Sequence, residues 1–202
     1  MMKLFYSNTS PYSRKVRTTL LESGLDSQVE YILRNPFDDA KELKALNPLG
    51  KIPTLVLDDG RVVYDSPVIC EYLDSISENV ALVPSDKDAR LLVNTWQALA
   101  DGIIDASYNI VMEGRRDESE RSAGSIERWK GSIIDSLAQV ERQIGTLPNA
   151  LTMAQISLAA ALGYLDFRLS YMEWRSSGNS ETAAWFEQFS ERASMVSTQP
   201  PE

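Results

Sequence analysis

The first 76 residues alternate between short apolar runs and amphipathic stretches, which predicts strands alternating with helices. Helices are expected at 12–23, 38–46 and 66–76. Strands are expected at 3–7 and 29–33, and as a hairpin at 54–57 and 61–64 around an Asp-Gly turn sequence. The order β-α-β-α-β-β-α needs a parallel first pair and an antiparallel closing pair. It therefore predicts a mixed four-stranded sheet with helices on its faces.

The pattern changes after residue 80. Residues 81–88 contain Pro84 and several charges and are expected to be a linker. From Ala89 onward only helical periodicity is present, with helices expected near 89–112, 118–145, 152–170 and 181–193 and a loose tail over 198–202. Thr152-Met153-Ala154-Gln155 matches a capping box that would start a buried central helix. We therefore predict an α/β domain over 1–80, a linker over 81–88, and an all-α domain over 89–202.

Composition narrows the class of protein. The chain has 43% hydrophobic and 24% charged residues, as ordinary globular proteins do. No stretch approaches about 18 consecutive apolar residues, and the first residues lack the features of a signal peptide, so we expect a cytoplasmic protein with no membrane partner. The net charge of −9 argues against nucleic acid as a partner, because affinity for a phosphate backbone comes from basic side chains.

The chain has no histidine and a single cysteine, Cys70, which limits the available chemistry. An internal disulfide, the Ser-His-Asp and Cys-His nucleophile arrangements and the usual zinc sites are excluded, and no metal is expected. Cys70 lies among apolar residues of a predicted helix, which is typical of a buried, inert thiol. A reaction here would have to use hydroxyls, carboxylates, backbone amides or a reactive group brought by a bound molecule.

The segment Ser10-Pro11-Tyr12-Ser13 has the spacing of the Cys-Pro-Tyr-Cys redox motif of glutaredoxins, with oxygen in place of both sulfurs. Serine cannot exchange disulfides, but its hydroxyl can donate a hydrogen bond to an anion. The following helix start adds unpaired N–H groups and a positive dipole end, so the place suits a bound thiolate. The alternative is that Ser10 and Thr9 only cap the helix.

Two further segments have the chemistry of a peptide-binding site. A cis bond between Ile52 and Pro53, at the entry to the third strand, would turn the Ile52 backbone outward to pair with a peptide, although trans is the expected isomer from sequence alone. Asp65-Ser66-Pro67 begins a helix, where free amides and a hydroxyl suit a carboxylate and where Asp65 could meet an ammonium group. An ordinary helix cap explains this segment equally well.

The order and spacing of these segments resemble the glutathione S-transferase family, in a bacterial type with serine at the glutaredoxin-like position. The resemblance covers residues 3–76, through the Ser-Pro-Tyr-Ser helix, the sequence Asn-Pro-Leu-Gly-Lys-Ile-Pro at 47–53, the hairpin and the Asp-Ser helix. The helical half is similar more loosely, at 100–103, at the Thr152 box and at 185–194. The resemblance implies a thioredoxin-like N-terminal domain that binds glutathione and an all-helical C-terminal domain.

The resemblance also implies a role for each site residue. Ser10 would be the thiol-activating hydroxyl, with Thr9 as the second candidate. Glutathione would be held by the residues Arg34, Lys51, Ile52, Pro53, Asp65 and Ser66: the Ile52 backbone would pair with the cysteinyl part, Asp65 and Ser66 would hold the γ-glutamyl end, and Lys51 and Arg34 would contact the glycyl carboxylate. An electrophile would meet the helical domain at Ile103, Ser107 and Tyr108.

The implied activity is a glutathione transferase that activates the thiol of its co-substrate glutathione as a thiolate, for attack on a small hydrophobic electrophile. The resemblance further implies a homodimer. Two alternatives stay open: a glutathione-binding module without turnover, since fold does not fix function, and a glutathione-dependent peroxidase without conjugating activity. A disulfide-exchanging enzyme is disfavoured, because positions 10 and 13 carry no sulfur.

Overall fold

The computed structural model describes residues 1–201, which form two compact units. The first unit comprises Met1–Asp86 and the residues from Ala193 onward, and the second is Lys87–Arg192. The elements of the first unit are β1 (Met2–Tyr6), α1 (Pro11–Glu22), β2 (Val29–Leu33), α2 (Ala40–Leu46), β3 (Thr54–Val56), β4 (Val62–Val63), α3 (Ser66–Ile76) and α8 (Ala193–Ser197). Up to residue 76, this is the order that the sequence predicts.

The four strands form one mixed sheet in the order β2-β1-β3-β4. β1 pairs in parallel with β2, while β3 is antiparallel to both β1 and β4. The alternation of the strands places Leu4 of β1 and Leu55 of β3 opposite each other in the core, where both are fully buried. Val16 and Leu20 of α1 and Ile69 of α3 are also fully buried, so the helices are held by their apolar faces.

Residues after Ala193 pack with the first unit, although the sequence analysis assigns them to the helical domain. The Thr18 and Thr198 hydroxyls lie 3.2 Å apart, and the Arg14 guanidinium donates to the Met195 carbonyl at 3.1 Å. Thr198 is completely buried, so the expectation of a loose tail from 198 is wrong at that residue. Its hydroxyl also donates to the Ser194 carbonyl at 2.7 Å, which explains why this polar side chain can be buried.

The second unit contains only helices. They are α4 (Lys87–Gly114), α5 (Ala123–Gln143), α6 (Met153–Arg168) and α7 (Ser180–Ser190). The predicted segment 118–145 is divided, because a short 3₁₀ turn at Glu118–Glu120 precedes α5, which begins at a Ser122 cap. None of the helices formed by residues 1–201 has the length and apolar character needed to cross a membrane.

Helix α6 is the buried centre of the second unit, as the capping box predicts, with every residue from 153 to 165 buried. The Thr152 side chain accepts from the Ala154 amide at 3.3 Å, and the Gln155 side-chain oxygen accepts from the Thr152 amide at 2.9 Å. The Gln155 amide group donates to the carbonyls of Pro148 and Ala150, at 2.6 and 2.9 Å. The polar side chains at the start of this helix are therefore hydrogen-bonded within the protein.

The start of α7 is capped by a carboxylate from another helix, α5. Glu141 accepts hydrogen bonds from the amides of Glu181 and Thr182 at 2.9 and 2.8 Å and from the Thr182 hydroxyl at 2.6 Å. Burial acts to raise the pKa of Glu141, but these hydrogen bonds outweigh it and hold the pKa below the ordinary value. The ionised carboxylate thus satisfies amides that a helix start leaves unpaired.

Candidate functional site

Strand pairing brings the predicted site segments to one end of the sheet. Phe5 of β1 lies opposite Thr54, so the residues that follow β1 and those that precede β3 leave the sheet at the same end. Val63 lies opposite Leu55, and the chain after β4 therefore runs toward that end as well. The segments 7–13, 51–53 and 65–66 thus meet at the carboxyl end of β1, which we call the site end of the sheet.

At the site end, Ser10 is the N-cap of α1, and its side chain accepts from the Ser13 amide at 3.2 Å. The sequence left open whether Ser10 and Thr9 cap this helix. Ser10 has the extended backbone of an N-cap residue and Pro11 follows it at the helix start, which fixes Ser10 as the cap. Accepting that bond uses a lone pair of the oxygen, so the hydroxyl proton of Ser10 stays available for another acceptor.

The backbone of the α1 start offers fewer donors than a typical helix N-terminus. Pro11 has no N–H, and the Ser13 amide is bound to the Ser10 side chain. Both facts reduce the number of amides that could hold an anion here. A bound thiolate would therefore depend more on side-chain hydroxyls, and less on backbone amides, than the sequence alone suggests.

Thr9 belongs to a second group of hydroxyls, which also includes Ser7, a residue that sequence reasoning did not single out. Its side-chain oxygen lies 3.1 Å from that of Ser7, and its amide donates to the Ser7 side chain at 3.3 Å. The Ser7 amide in turn donates to the Ser13 hydroxyl at 3.4 Å. The available signal was the run of hydroxyl residues that follows β1 directly, at 7, 9, 10 and 13.

The Ile52–Pro53 peptide bond is cis, which is not the isomer expected from sequence alone. Within residues 1–201 the N–H and C=O of Ile52 have no hydrogen-bond partner, because β3 begins only at Thr54. The loop before it is fixed by buried Asn47, whose side chain donates to the Lys51 carbonyl at 3.2 Å and to the Thr54 hydroxyl at 3.0 Å. A ligand backbone could pair with Ile52 without displacing a protein contact.

Asp65 occupies the N-cap position of α3 but makes no capping hydrogen bond with its side chain. Its carboxylate is exposed and has no ion-pair partner in the described part of the chain. Ser66, the first helical residue, is only 1% exposed. The ordinary-cap interpretation of this segment is therefore not what the geometry supports, since the carboxylate that would cap the helix faces solvent instead.

The two cations predicted to meet a carboxylate differ in how free they are. Arg34 binds Glu42 through two hydrogen bonds, at 2.8 and 3.0 Å, and this interaction raises the pKa of Arg34 and lowers that of Glu42. Lys51 is exposed and forms no ion pair with any residue from 1 to 201. Lys51 can therefore meet a ligand as it stands, whereas Arg34 would first have to exchange its partner.

The three residues predicted to meet an electrophile lie on α4, and only one is exposed to any extent. Ile103 is 1% exposed, and Ser107 is fully buried with its hydroxyl bonded to the Ile103 carbonyl at 2.7 Å. Tyr108 is 36% exposed. Because a helix turns by 100° per residue, residues 103 and 107 share one face and 108 begins the next. Of the three, only Tyr108 has a partly exposed side chain.

Two other features of the molecule lie outside the predicted site. Cys70 is fully buried, with its sulfur 3.4 Å from the Thr19 hydroxyl, as expected of an inert thiol. A groove of about 720 Å³ lies within the second unit, between α5 and residues 171–179, and its walls include Ile134, Tyr171 and Trp174. None of the predicted electrophile residues lines this groove.

Comparison with known proteins agrees with the geometry. The family models described as glutathione S-transferase, N-terminal domain, and glutathione S-transferase, C-terminal domain, match residues 9–76 and 123–188. The uncharacterized GST-like protein YibF of Escherichia coli K12 is 36% identical over 203 residues, covering 99% of each chain. The chain therefore belongs to the glutathione S-transferase family, as its motifs indicated, and its thioredoxin-like and all-helical units are those of that fold.

Solved structures extend the comparison. A glutathione transferase family member from Pseudomonas fluorescens Pf-5, with bound glutathione, is 40% identical with a TM-score of 0.96, and all of both chains is covered. A glutathione S-transferase from Methylobacillus flagellatus KT, with glutathione bound, is 37% identical with a TM-score of 0.94, again over all of both chains. The Pf-5 family member has also been solved with S-(propanoic acid)-glutathione, at 39% identity, a TM-score of 0.90, and coverage of 100% of this chain and 98% of that one.

Proposed function

We propose that this protein is a glutathione transferase that binds glutathione at the site end of the sheet and activates its thiol for attack on a small hydrophobic electrophile. The observation that carries the proposal is that three groups with unused hydrogen-bonding or ion-pairing capacity meet at that end. They are the Ser10 hydroxyl proton, the Ile52 backbone and the Asp65 carboxylate. In a member of this family, each matches the chemistry of one part of glutathione.

Each group has a defined partner in the bound tripeptide. The Asp65 carboxylate binds the γ-glutamyl ammonium, and Ser66 together with the α3 start binds the adjoining carboxylate. The Ile52 N–H and C=O pair with the cysteinyl backbone, beside Pro53. Lys51 binds the glycyl carboxylate, and Arg34 is the second candidate because it is paired with Glu42. Bound glutathione in the two solved relatives supports this assignment of ligand.

The chemistry follows from the thiol. A free thiol of this kind has a pKa near 8.5, so only a small fraction is thiolate at neutral pH, and lowering the pKa by one unit requires about 1.4 kcal/mol. A hydroxyl donor to the charged sulfur, helped by the α1 dipole, is of the right size to supply that energy. The thiolate then attacks the electrophile, the S–C bond forms, and the leaving group departs or a proton is taken up. Tyr108 is the proposed contact for the electrophile on α4.

The binding assignment is tested by calorimetry with glutathione. Asp65→Ala should weaken binding by roughly 1.5–3 kcal/mol, since it removes a hydrogen bond to a charged group. Asp59→Ala is the matched control, because Asp59 is an exposed carboxylate in the hairpin turn, at the opposite end of the sheet. Equal affinities of the Asp65→Ala variant and the wild type would remove Asp65 from the site.

The reaction type is tested by steady-state assays with chlorodinitrobenzene, cumene hydroperoxide and a mixed disulfide, each with glutathione. Turnover of chlorodinitrobenzene is the expected result for a transferase. Turnover of the peroxide alone would favour the peroxidase alternative. Glutathione binding without any turnover would favour a binding module.

We also propose a homodimer, which family membership supports. Light scattering should give about twice the chain mass of 22.6 kDa at micromolar concentration. A single species of 22.6 kDa would contradict it.

A further inference from the structure

We infer that Ser7 is a positioning residue of the thiol site, which orients the Thr9 hydroxyl so that Thr9 and Ser10 both donate to the glutathione sulfur. This inference rests on the proposed function and adds a residue that sequence reasoning had not placed in the site. Ser7 and Thr9 carry two hydroxyl protons, and the 3.1 Å contact between their oxygens uses one of them. One proton is left for an acceptor outside the pair.

The direction of that contact follows from the neighbouring amide. The Thr9 N–H donates to the Ser7 oxygen at 3.3 Å, which polarises the Ser7 hydroxyl and makes it the better donor of the two. Ser7 then donates to the Thr9 oxygen, and the Thr9 proton points away from the pair. The bonds form a short chain that begins at the Thr9 amide, passes through the Ser7 hydroxyl and ends at the Thr9 hydroxyl.

The position of Ser7 is itself fixed. Its amide donates to the fully buried Ser13 hydroxyl at 3.4 Å, and its carbonyl accepts from the Ser10 amide at 3.4 Å. Ser7 follows β1 directly, so the end of the central strand anchors it. Ser10 and Thr9 are therefore held by one frame, and each has a hydroxyl proton that the protein does not use. This matters because the α1 backbone offers few amides at this place.

The test is the pKa of protein-bound glutathione, measured from the ultraviolet absorbance of its thiolate across a pH series. Thr9→Ala should raise that pKa by about half a unit to one unit, through loss of a donor to the charged form. Ser7→Ala should raise it by about half as much, because Thr9 keeps its proton but loses its orientation and polarisation. Ser7→Thr keeps the hydroxyl and should restore the wild-type value.

The double variant distinguishes positioning from a general structural effect. If Ser7 acts through Thr9, Ser7→Ala should cause no further pKa change in a Thr9→Ala background. An equal change in both backgrounds, or an unchanged pKa in Ser7→Ala, would overturn the inference. If Ser7→Ala fails to fold, Ser7→Thr still tests the inference, because it keeps the hydroxyl. A bound-glutathione pKa as high in Ser7→Thr as in Thr9→Ala would mean that the hydroxyl at position 7 does not position Thr9. A wild-type protein that binds glutathione without lowering its thiol pKa would refute this inference and the proposed thiol activation together, while leaving the calorimetric result for Asp65 intact.

Discussion

The starts of α6 and α3 both carry polar side chains, but those of α6 bond within the protein and the carboxylate of α3 does not. At the start of α6, Thr152 and Gln155 direct their side chains to each other and to nearby backbone, and all of these groups are satisfied within the protein. At the start of α3, Asp65 holds the same N-cap position, and its carboxylate caps nothing. We call the start of α6 closed, because its polar groups bond within the protein and fix the core of the second unit. We call the start of α3 open, because it leaves charge and hydrogen-bonding capacity for a ligand.

The start of α1 combines both behaviours. Ser10 closes the helix with its oxygen lone pair and keeps its proton for another acceptor. The comparison therefore predicts that substitutions at closed starts change stability and leave glutathione binding intact. Substitutions at open starts should do the reverse, and substitutions of Ser10 should change both.

The largest stability loss is expected for Gln155→Ala. It leaves the buried Thr152 amide without its partner and removes two part-buried hydrogen bonds to the carbonyls of Pro148 and Ala150, which should cost roughly 2–4 kcal/mol. Urea denaturation measures this cost, and calorimetry should find wild-type affinity for glutathione in the folded variant. Gln143→Ala, on the exposed last turn of α5, is the matched control. A loss no larger than that of the control would mean that the box does not close α6.

Glu141→Gln should cost about 1–2 kcal/mol at neutral pH, because a neutral amide accepts more weakly from the start of α7. The hydrogen bonds lower the pKa of Glu141 in the folded protein below its ordinary value of 4.5. The carboxylate's contribution is therefore complete above pH 4.5 and is lost as the pH falls through the lower folded value. Denaturation curves at several pH values should show the wild type and Glu141→Gln converging in acid. Glu187→Gln, which removes an exposed carboxylate on α7, is the matched control.

Ser10→Ala and Ser10→Asp separate the two functions of one residue. Alanine removes the cap and should cost about 1 kcal/mol, whereas aspartate is a good cap and should preserve stability. Both remove the hydroxyl donor, so both should raise the pKa of bound glutathione, aspartate more because of its charge. Conjugation by Ser10→Ala at neutral pH should fall about tenfold, the effect of one pKa unit. A Ser10→Asp variant with wild-type thiol pKa would show that Ser10 is only a cap.

The smallest stability effect is expected for Asp65→Asn. Because the carboxylate bonds to nothing in residues 1–201, the free energy of unfolding should change by less than about 0.5 kcal/mol, as for other exposed substitutions. Glutathione affinity should nevertheless fall. A stability loss as large as that of Ser10→Ala would show that Asp65 caps α3 after all, and the contrast with α6 would disappear.

Much of the fold could be predicted from the sequence, because its strongest signals are local. The Asp-Gly turn, the prolines at helix starts and the Thr152 box each act within a few residues, and the structure confirms the elements they predict. The family resemblance, which depends on the order of such segments, is confirmed as well. The boundary of the first unit was harder to predict from the sequence, because the burial of Thr198 against Thr18 depends on a contact between residues far apart in the chain.

The candidate site was only partly predictable, for a related reason. The residue types and their places at helix starts are visible in the sequence, but the use of each polar group is not. The sequence does not show that Arg34, unlike Lys51, is paired with Glu42. It also does not show that Ile103 and Ser107, which were expected to meet an electrophile, are buried on α4. Ser7 was missed because the run of hydroxyl residues after β1 does not show which of them contact each other, and its role appears only from its contact with Thr9.

The residues from Ala193 onward also bear on how this chain is made. Thr198 reaches Thr18 across 180 positions, and Ser194 bonds to Glu22 across 172. A ribosome adds residues at roughly 5–20 per second, so α1 emerges on the order of ten seconds before the segment that completes its packing. During that interval Thr18 and the neighbouring surface of α1 are uncovered. The first unit is therefore completed only after the whole second unit has been synthesised.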